Sequence, residues 1–217
     1  MFKTFFISTL AISLLCGSAF CENIKVFDFT EKELSSLEVR KVRGAEANTE
    51  YSIGKNDNGT FLKAVAINSA SGLGKQIKID LNKTPYLNIT WKVEKDLSGI
   101  DERSKKGHDY AARVFVVKKT GATPLSNRAM NYVFSSNENI DEFHPSPYTK
   151  KSIDYVLSST IKNLNEWVSV KVNVKNHFKK FHNLDLEEIN GIALMADTDN
   201  SKLTSISYYQ NIYFSSE

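Results

Sequence analysis

The chain has 217 residues, of which 28 are lysine or arginine and 25 are aspartate or glutamate, so its formal net charge at pH 7 is +3. The charges are nearly balanced and scattered along the chain, which gives no electrostatic footprint for nucleic acid or for an anionic membrane surface. We therefore predict no nucleic-acid partner.

Residues 1–21 are typical of a cleavable signal peptide. Lys3 supplies the positive charge, and the apolar run from Phe5 to Leu15 is too short to cross a bilayer as a helix. Cleavage is predicted after Ala19 or after Cys21, and a retained N-terminal anchor is the alternative. This segment predicts an exported protein, periplasmic or secreted, with no membrane span after the signal is removed.

The remaining residues, 22–217, are predicted to form one domain. Cys16 and Cys21 lie within or at the edge of the signal, so this domain has no internal disulfide and must be stable through its core alone. A domain of this size buries enough apolar surface for that. An exported chain without disulfides is more usual in the bacterial periplasm than in an animal secretory route.

A period of two dominates this domain and predicts β-strands. Apolar and polar residues alternate in segments 87–93 and 168–174, whereas segments 61–67 and 111–117 are almost continuously apolar, as expected of central strands. Turn residues, such as those at 56–59, separate roughly ten such strands.

Helical patterns are scarce and short, at residues 31–39 and 174–181. Many short strands with frequent turns are typical of sandwiches and barrels. The predicted fold class is therefore all-β, a single-domain β-sandwich of the jelly-roll type with one or two short helices.

Arg113 interrupts an apolar strand. By alternation it shares a strand face with Asp109 and Phe115. An unpaired buried charge is very costly, so Arg113 needs a partner or an open cleft. Two interpretations stay open: an arginine–aspartate pair that joins two strands, or a cationic group on a concave face that meets a ligand.

Acidic residues end another apolar strand, where Asp197, Asp199 and Asn200 follow residue 196. Carboxylate and amide oxygens suit Ca²⁺, so these three residues are a candidate structural calcium site, and no other cofactor is predicted. The glycine and the distal glutamate of a helix-loop-helix calcium loop are absent. The alternatives are an Asx-rich turn and a pair of glycosidase carboxylates.

Two further segments break the apolar pattern. Asn131 and Tyr132 lie within a strand and are candidates to face a ligand, although aromatic strand residues are more often part of the core. Ser69–Gly74 follows a buried strand, and Gly72 and Gly74 permit a close backbone approach. We interpret that segment as a tight connection between two strands.

Sequence motifs of known enzymes are missing from this chain. There is no Gly-x-Ser-x-Gly elbow, no His-Glu-x-x-His pair and no Walker loop. His177 and His182 are five residues apart, which does not place them on one helical face. Whether the protein is an enzyme therefore stays open.

Four segments together resemble a bacterial exported family of domains of unknown function, number three thousand and forty-seven in that series. In chain order they are Ala70–Leu73, Asp109–Val114, Asn131–Val133 and Asp197–Asn200. The resemblance covers nearly all of residues 22–217. It implies export and one domain, but no chemistry, because the family has no assigned activity.

This chain departs from the family pattern at three positions. His108 stands where a second aspartate is usual, and Ile89 and Phe134 stand where tryptophan is usual. The loss of those aromatic residues weakens the case for a stacking platform. The family as a whole is similar to carbohydrate-binding jelly rolls. This similarity is an argument from the fold alone.

The polar residues within strands predict a non-catalytic binding domain for a glycan or another polar envelope ligand. The candidate binding residues are Asp109, Arg113, Asn131, Tyr132, Asp197 and Asp199. The alternative is an enzyme acting on envelope or extracellular polysaccharide, with Asp197 or Asp199 as acid and base and Arg113 stabilising charge. The sequence makes no prediction of the oligomeric state.

Overall fold

The computed structural model describes residues 22–217, which form two packed β-sheets with three short helices. In chain order the strands are β1 (Asn23–Lys25), β2 (Glu38–Lys41), β3 (Glu50–Asn56), β4 (Gly59–Ile67), β5 (Ala70–Asp80), β6 (Tyr86–Lys95), β7 (Ala112–Lys118), β8 (Arg128–Ser135), β9 (Phe143–Ser146), β10 (Thr149–Ser159), β11 (Val168–Asn173), β12 (Glu188–Asp197) and β13 (Thr204–Ser215). The helices are α1 (Glu31–Ser36), α2 (Thr160–Asn163) and α3 (Val174–His182). The predicted signal peptide lies outside the described residues.

The two sheets have six and seven strands. The six-stranded sheet has the order β11-β6-β13-β4-β3, and β1 also pairs with β13. The seven-stranded sheet has the order β2-β5-β12-β7-β8-β10-β9. Every strand pair is antiparallel except β8 with β10. This arrangement confirms the predicted β-sandwich of the jelly-roll type.

Alternation along the strands decides which side chains enter the core. In β6, Leu87, Ile89, Trp91 and Val93 are at most 1% exposed, and the polar residues between them face outward. Burying side chains of this kind contributes about 1.5–3 kcal/mol each. The indole Nε1 of Trp91 donates to Ser158 Oγ at 2.9 Å, which joins the two sheets through the core.

The glycine segment before residue 75 was interpreted wrongly from the sequence. It is not a connection but the first half of strand β5, where Gly72 and Gly74 lie opposite Arg40 and Glu38 of β2. A Cβ on Gly74 would lie 2.2 Å from Nε of Arg40. These glycines therefore let the β2 side chains lie close over the sheet.

The helices differ from the predicted ones in small ways. Helix α1 ends at Ser36 rather than at residue 39, because the chain continues into β2 and pairs with β5. Helix α3 forms where it was predicted, with Asn173 as its N-cap. The four-residue α2 was not predicted from the sequence, and it makes the number of short helices three.

Helix α3 places a neutral histidine in an aromatic cluster. His177 contacts the rings of Tyr155 and Phe181, with centroids 4.4 and 5.3 Å away. Burial lowers the pKa of His177 to about 4, Lys180 repels the charged form as well, and Asp141 opposes the shift. The unfolded chain therefore takes up a proton near pH 6.5 that the folded chain does not hold above pH 4.

We expect this histidine to make the protein less stable in acid. Because the pKa is lowered in the folded state, the free energy of unfolding falls as the pH drops from about 7 to 4. The imidazole is only half-buried, so we expect the contribution to be roughly 1–2 kcal/mol. Urea unfolding of wild type and His177→Phe at pH 7 and pH 5 measures it. The variant should lose less stability between the two pH values; equal losses would contradict the assignment.

Candidate functional site

A cleft of about 560 Å³ opens on the outer face of the seven-stranded sheet. Three strands supply its floor with residues that alternate away from the core: Arg113 and Phe115 of β7, Ser152 and Asp154 of β10, and Met195 and Asp197 of β12. Loop residues form its walls: Val42, Arg43, Gly44, His108, Tyr148, Asp199 and Asn200. The outward positions of neighbouring strands thus build one polar site.

Arg113 and Asp197 form a buried ion pair at the base of the cleft. The side chains are 3% and 4% exposed, and Nε of Arg113 donates to Oδ1 of Asp197 at 2.9 Å while a terminal amino group donates to Oδ2. The strand register brings these side chains together, because Arg113 lies opposite Met195 in the β7–β12 pair and Asp197 is two residues further along β12, on the same face. The structure therefore shows the arginine–aspartate pair that joins two strands.

The charges of this pair depend on one another. Burial raises the pKa of Asp197 to about 6, and the Arg113 guanidinium opposes this shift. Burial lowers the pKa of Arg113, but the Asp197 carboxylate outweighs this effect and holds the pKa of the guanidinium above its ordinary value. Both groups are therefore mainly charged at neutral pH. Tyr110 and Phe115 flank the guanidinium, with ring centroids 4.8 and 5.7 Å from its central carbon.

Asp109 lies behind the cleft and holds one of its loops. One carboxylate oxygen accepts the backbone N–H and the side-chain amide of Asn200, at 3.2 and 2.8 Å, and the other accepts Ser201 N–H at 2.6 Å. Asn200 in turn accepts the Tyr148 hydroxyl at 2.7 Å through its side-chain oxygen. Asp109 is fully buried, so it positions the wall of the cleft.

Asp199 is the carboxylate of this cluster with spare hydrogen-bonding capacity. Single oxygens of Asp109, Asp197 and Asp199 lie within 4.8 Å of one another. Burial raises the pKa of Asp199, and the charge of Asp109 adds to the shift. Oδ1 of Asp199 has no hydrogen-bond partner among residues 22–217. Asp199 is half-buried in the cleft wall, and its oxygen without a partner is itself buried.

Two of the three predicted calcium ligands, Asp197 and Asn200, already have hydrogen-bond partners in this arrangement. Asp197 directs both carboxylate oxygens to Arg113, and the side-chain oxygen of Asn200 is taken by Tyr148. Calcium needs six to eight oxygen ligands, and Asp199 alone keeps a free one. The Arg113 guanidinium supplies the positive charge that the cluster needs.

We expect neither added Ca²⁺ nor a chelator to change the melting temperature. A structural ion saturated to 100 times its Kd would add about 2.7 kcal/mol to the free energy of unfolding, which thermal unfolding detects readily. A melting temperature that rises with Ca²⁺ and falls with chelator would restore Asp197, Asp199 and Asn200 as metal ligands.

A second polar group in the cleft was not singled out from the sequence. Oδ2 of Asp154 lies 2.7 Å from Nε2 of His108, and Oδ1 accepts from Asn131 Nδ2 at 2.6 Å. Asp154 and Asn131 are at most 1% exposed, and His108 lines the cleft. Asp154 thus orients a histidine that presents one edge to the open space.

A second histidine and a glutamate, His144 and Glu138, lie behind this group. His144 lies 3.8 Å from Asp154 and 3.4 Å from Glu138. Burial lowers the pKa of His144, but the Glu138 carboxylate and other partners outweigh this and raise it overall. Burial likewise raises the pKa of Glu138, while His144 and Arg103 lower it overall. The opposite shifts mean that each residue favours the charged form of the other.

The six predicted binding residues fall into three groups. Arg113, Asp197 and Asp199 line the cleft, and Asp109 and Asn131 lie directly behind it. Tyr132 does not reach the cleft, because neighbouring residues of a strand point to opposite faces, and its ring is buried in the core. Ile89 and Phe134 also face the core, so their departure from the family pattern does not alter the surface.

Sequence reasoning missed Asp154, Tyr148 and the role of His108. Asp154 did carry a signal, since it is a carboxylate two residues before the buried Val156 on the same face of β10. The sequence around Tyr148 gave no such signal, because the position of this residue depends on the short turn between β9 and β10.

The cleft continues into a neighbouring cavity of about 410 Å³. The two share Val42, Phe115 and Met195, so they form one groove across the outer face of the sheet. Its centre is apolar and its ends are polar. Such a combination is usual for sites that bind small molecules or oligomers.

Comparisons with known proteins place the chain in a family. The model described as "Protein of unknown function (DUF3047)" matches residues 35–213. The chain belongs to this family. The match confirms the resemblance of the four sequence segments, and the family has no assigned activity. No curated protein matches the chain.

Solved structures are similar to this chain at low sequence identity. The family 30 carbohydrate-binding module of a cellulosomal cellulase of Clostridium thermocellum has a TM-score of 0.52 and 9% identity, covering 90% of this chain and 98% of that chain. Endoglucanase 3 of Trichoderma harzianum, from family GH12, has a TM-score of 0.41 and 9% identity, with 92% and 98% covered. The xyloglucanase domain of NopAA from Sinorhizobium fredii, in complex with cellobiose, has a TM-score of 0.42 and 10% identity, with 77% and 92% covered.

The described part of the chain contains no helix that is both long and apolar enough to span a membrane.

Proposed function

We propose that this member of the family is an exported, periplasmic binding domain that holds a glycan or another polar envelope ligand without cleaving it. The observation that carries the proposal is the composition of the cleft. Phe115 and Met195 are the apolar residues of its floor, Arg113 adds a charged group at its base, and His108 and Asp199 add polar groups in its walls. Sugar rings offer apolar faces and hydroxyl edges, which match such a surface.

Tyr148 is the exposed aromatic residue of the cleft. Its side chain is 55% exposed, yet its hydroxyl lies within donor distance of two acceptors, the side-chain oxygen of Asn200 at 2.7 Å and the Lys105 carbonyl at 3.0 Å, which compete for its single hydrogen. The ring also packs edge to face on His108, with centroids 5.5 Å apart. A ring held in this way loses little entropy when a ligand stacks on it.

Two further observations support a glycan ligand. The likeness to a carbohydrate-binding module is an analogy of fold, and it favours the same ligand class without naming a sugar. The signal peptide predicted from residues 1–21 would place the domain where envelope polysaccharides are found.

Thermal unfolding against a panel of neutral oligosaccharides tests the proposal. A sugar at 100 times its Kd should add about 2.7 kcal/mol to the free energy of unfolding. We expect Tyr148→Ala and Asp199→Asn to abolish this stabilisation and Tyr148→Phe to keep part of it. Leu125→Ala is the control, because that side chain is 82% exposed and lies outside the cleft lining. A flat panel, or stabilisation unaffected by both cleft variants, would contradict the proposal.

The alternative function is an enzyme acting on envelope or extracellular polysaccharide. A raised pKa in Asp197 and Asp199 suits a general acid. However, both oxygens of Asp197 accept hydrogen bonds from Arg113. Asp199 would therefore have no second free carboxylate to act as the other member of an acid–base pair. Release of reducing ends that disappears in Asp199→Asn would favour the enzyme over the binding domain.

A further inference from the structure

The outer face of the six-stranded sheet carries an aromatic and basic surface that the cleft does not explain. The rings of Phe61, Trp167 and Tyr208 lie together, with centroids 5.5 to 6.0 Å apart. Trp167 is 36% exposed and directly precedes β11. These rings, with Lys63 and Lys92 beside them, are called the basic platform below.

Tyr208 fixes two ammonium groups at this surface. Nζ of Lys92 lies 4.6 Å and Nζ of Lys63 lies 5.8 Å from the ring centroid. Glu94 accepts the Tyr208 hydroxyl at 2.6 Å and lies 3.8 Å from Lys92, so it offsets part of that charge. Within residues 22–217, Lys63 has no ion-pair partner, so its charge is available to a ligand.

A shallow groove of about 640 Å³ lies on the same face, beside the platform. Thr90, Ser169 and Lys171 line it. Trp167, Ser169 and Lys171 alternate on one side of the chain, so their Cα atoms span about 13 Å along this face. Lys171 is exposed and lies over the ring of Tyr86, at 5.3 Å. The groove therefore adds hydroxyl groups and a further cation to the platform.

The outer face of the six-stranded sheet presents Lys63, Lys92 and Lys171, and Glu94 offsets part of the charge of Lys92. A carboxylated polymer is attracted to a surface on which ammonium groups outnumber carboxylates. The exposed ring of Trp167 suits the apolar face of a sugar, and the ammonium groups beside it suit a carboxylate.

We propose that the basic platform and its groove form a second binding surface, which takes an acidic, carboxylated polysaccharide. This surface is separate from the cleft, so one domain can hold two different glycans on its opposite faces. The proposal does not rest on the function of the cleft, because none of the cleft residues takes part.

Binding of oligogalacturonate to the full chain, measured by titration calorimetry, tests this surface. We expect binding that weakens as salt rises, because exposed charges are screened. Trp167→Ala should weaken it at least tenfold, and Lys63→Gln and Lys171→Gln should each weaken it several-fold. The matched controls, Leu125→Ala and Lys78→Gln, change exposed residues elsewhere and should leave it unchanged. Circular dichroism establishes that each variant is folded.

Several outcomes would overturn the proposal. The methyl ester of the same oligosaccharide lacks the charge, so equal binding of the ester would show that the lysines do not recognise a carboxylate. Absence of binding, or binding unchanged in folded Trp167→Ala, would exclude the platform as the site. A dimer in sedimentation that dissociates on Trp167→Ala would assign the surface to a second copy of the chain instead. Neutral sugars test the cleft separately, so failure of one site is distinguishable from failure of the other.

Discussion

Arg113→Met is expected to lower the free energy of unfolding by about 3–5 kcal/mol. The variant leaves the Asp197 carboxylate buried without its guanidinium, and a lone buried charge is far more costly than the pair. It also removes the bond from Arg113 to the His108 carbonyl, at 3.3 Å. Urea unfolding followed by circular dichroism measures the change.

The double variant Arg113→Met/Asp197→Leu distinguishes the pair from the packing around it. Replacing both charges by apolar groups of similar size is often nearly neutral, so much of the lost stability should return. The exposed pair Arg40–Glu38 is the matched control, and Arg40→Met should cost less than about 1 kcal/mol. A cost below about 1 kcal/mol for Arg113→Met would mean that the pair does not hold β7 to β12.

Asp154→Ala has the second largest expected effect. It removes the acceptor from two buried or nearly buried donors, His108 and Asn131, and opens a small cavity. The loss should be about 2–4 kcal/mol in the free energy of unfolding. Because Asp154 orients His108 in the cleft, the variant should also weaken binding of any sugar that stabilises the wild type.

Asp154→Asn is the control for this change. The amide keeps the size of the side chain and an oxygen for Asn131, so it should cost less than Asp154→Ala. If both variants were equally unstable, the charge of Asp154 rather than its hydrogen bonds would hold the site. If neither cost more than about 1 kcal/mol, the His108–Asp154 group would not support the cleft.

The core was largely predictable because strand alternation is a local property. The apolar residues of β6 and the apolar positions of β7 enter the core as the period of two requires. The same rule places Arg113 on the outer face and Tyr132 inside, opposite to Asn131. Asn131 and Tyr132 are neighbours in one strand, so they point to opposite faces and could not both face a ligand.

Partners in the site were not predictable, because they meet through register between strands distant in the sequence. Arg113 and Asp197 are 84 residues apart, and their contact depends on how β12 pairs with β7. Asp154 reaches His108 across 46 residues, through the parallel pairing of β10 with β8. Local patterns contain no information about such pairings.

The sequence by itself therefore determined the fold class, the family and the inward faces of the strands. It also determined which polar residues within strands need a hydrogen-bond or ion-pair partner. Tertiary structure alone decided which partners they found. It joined Asp197 to Arg113, and it brought Tyr148 into the cleft and Trp167 to the basic platform. The physical reason is that alternation follows from backbone geometry within one strand, whereas charge pairing and surface clustering follow from the packing of many strands.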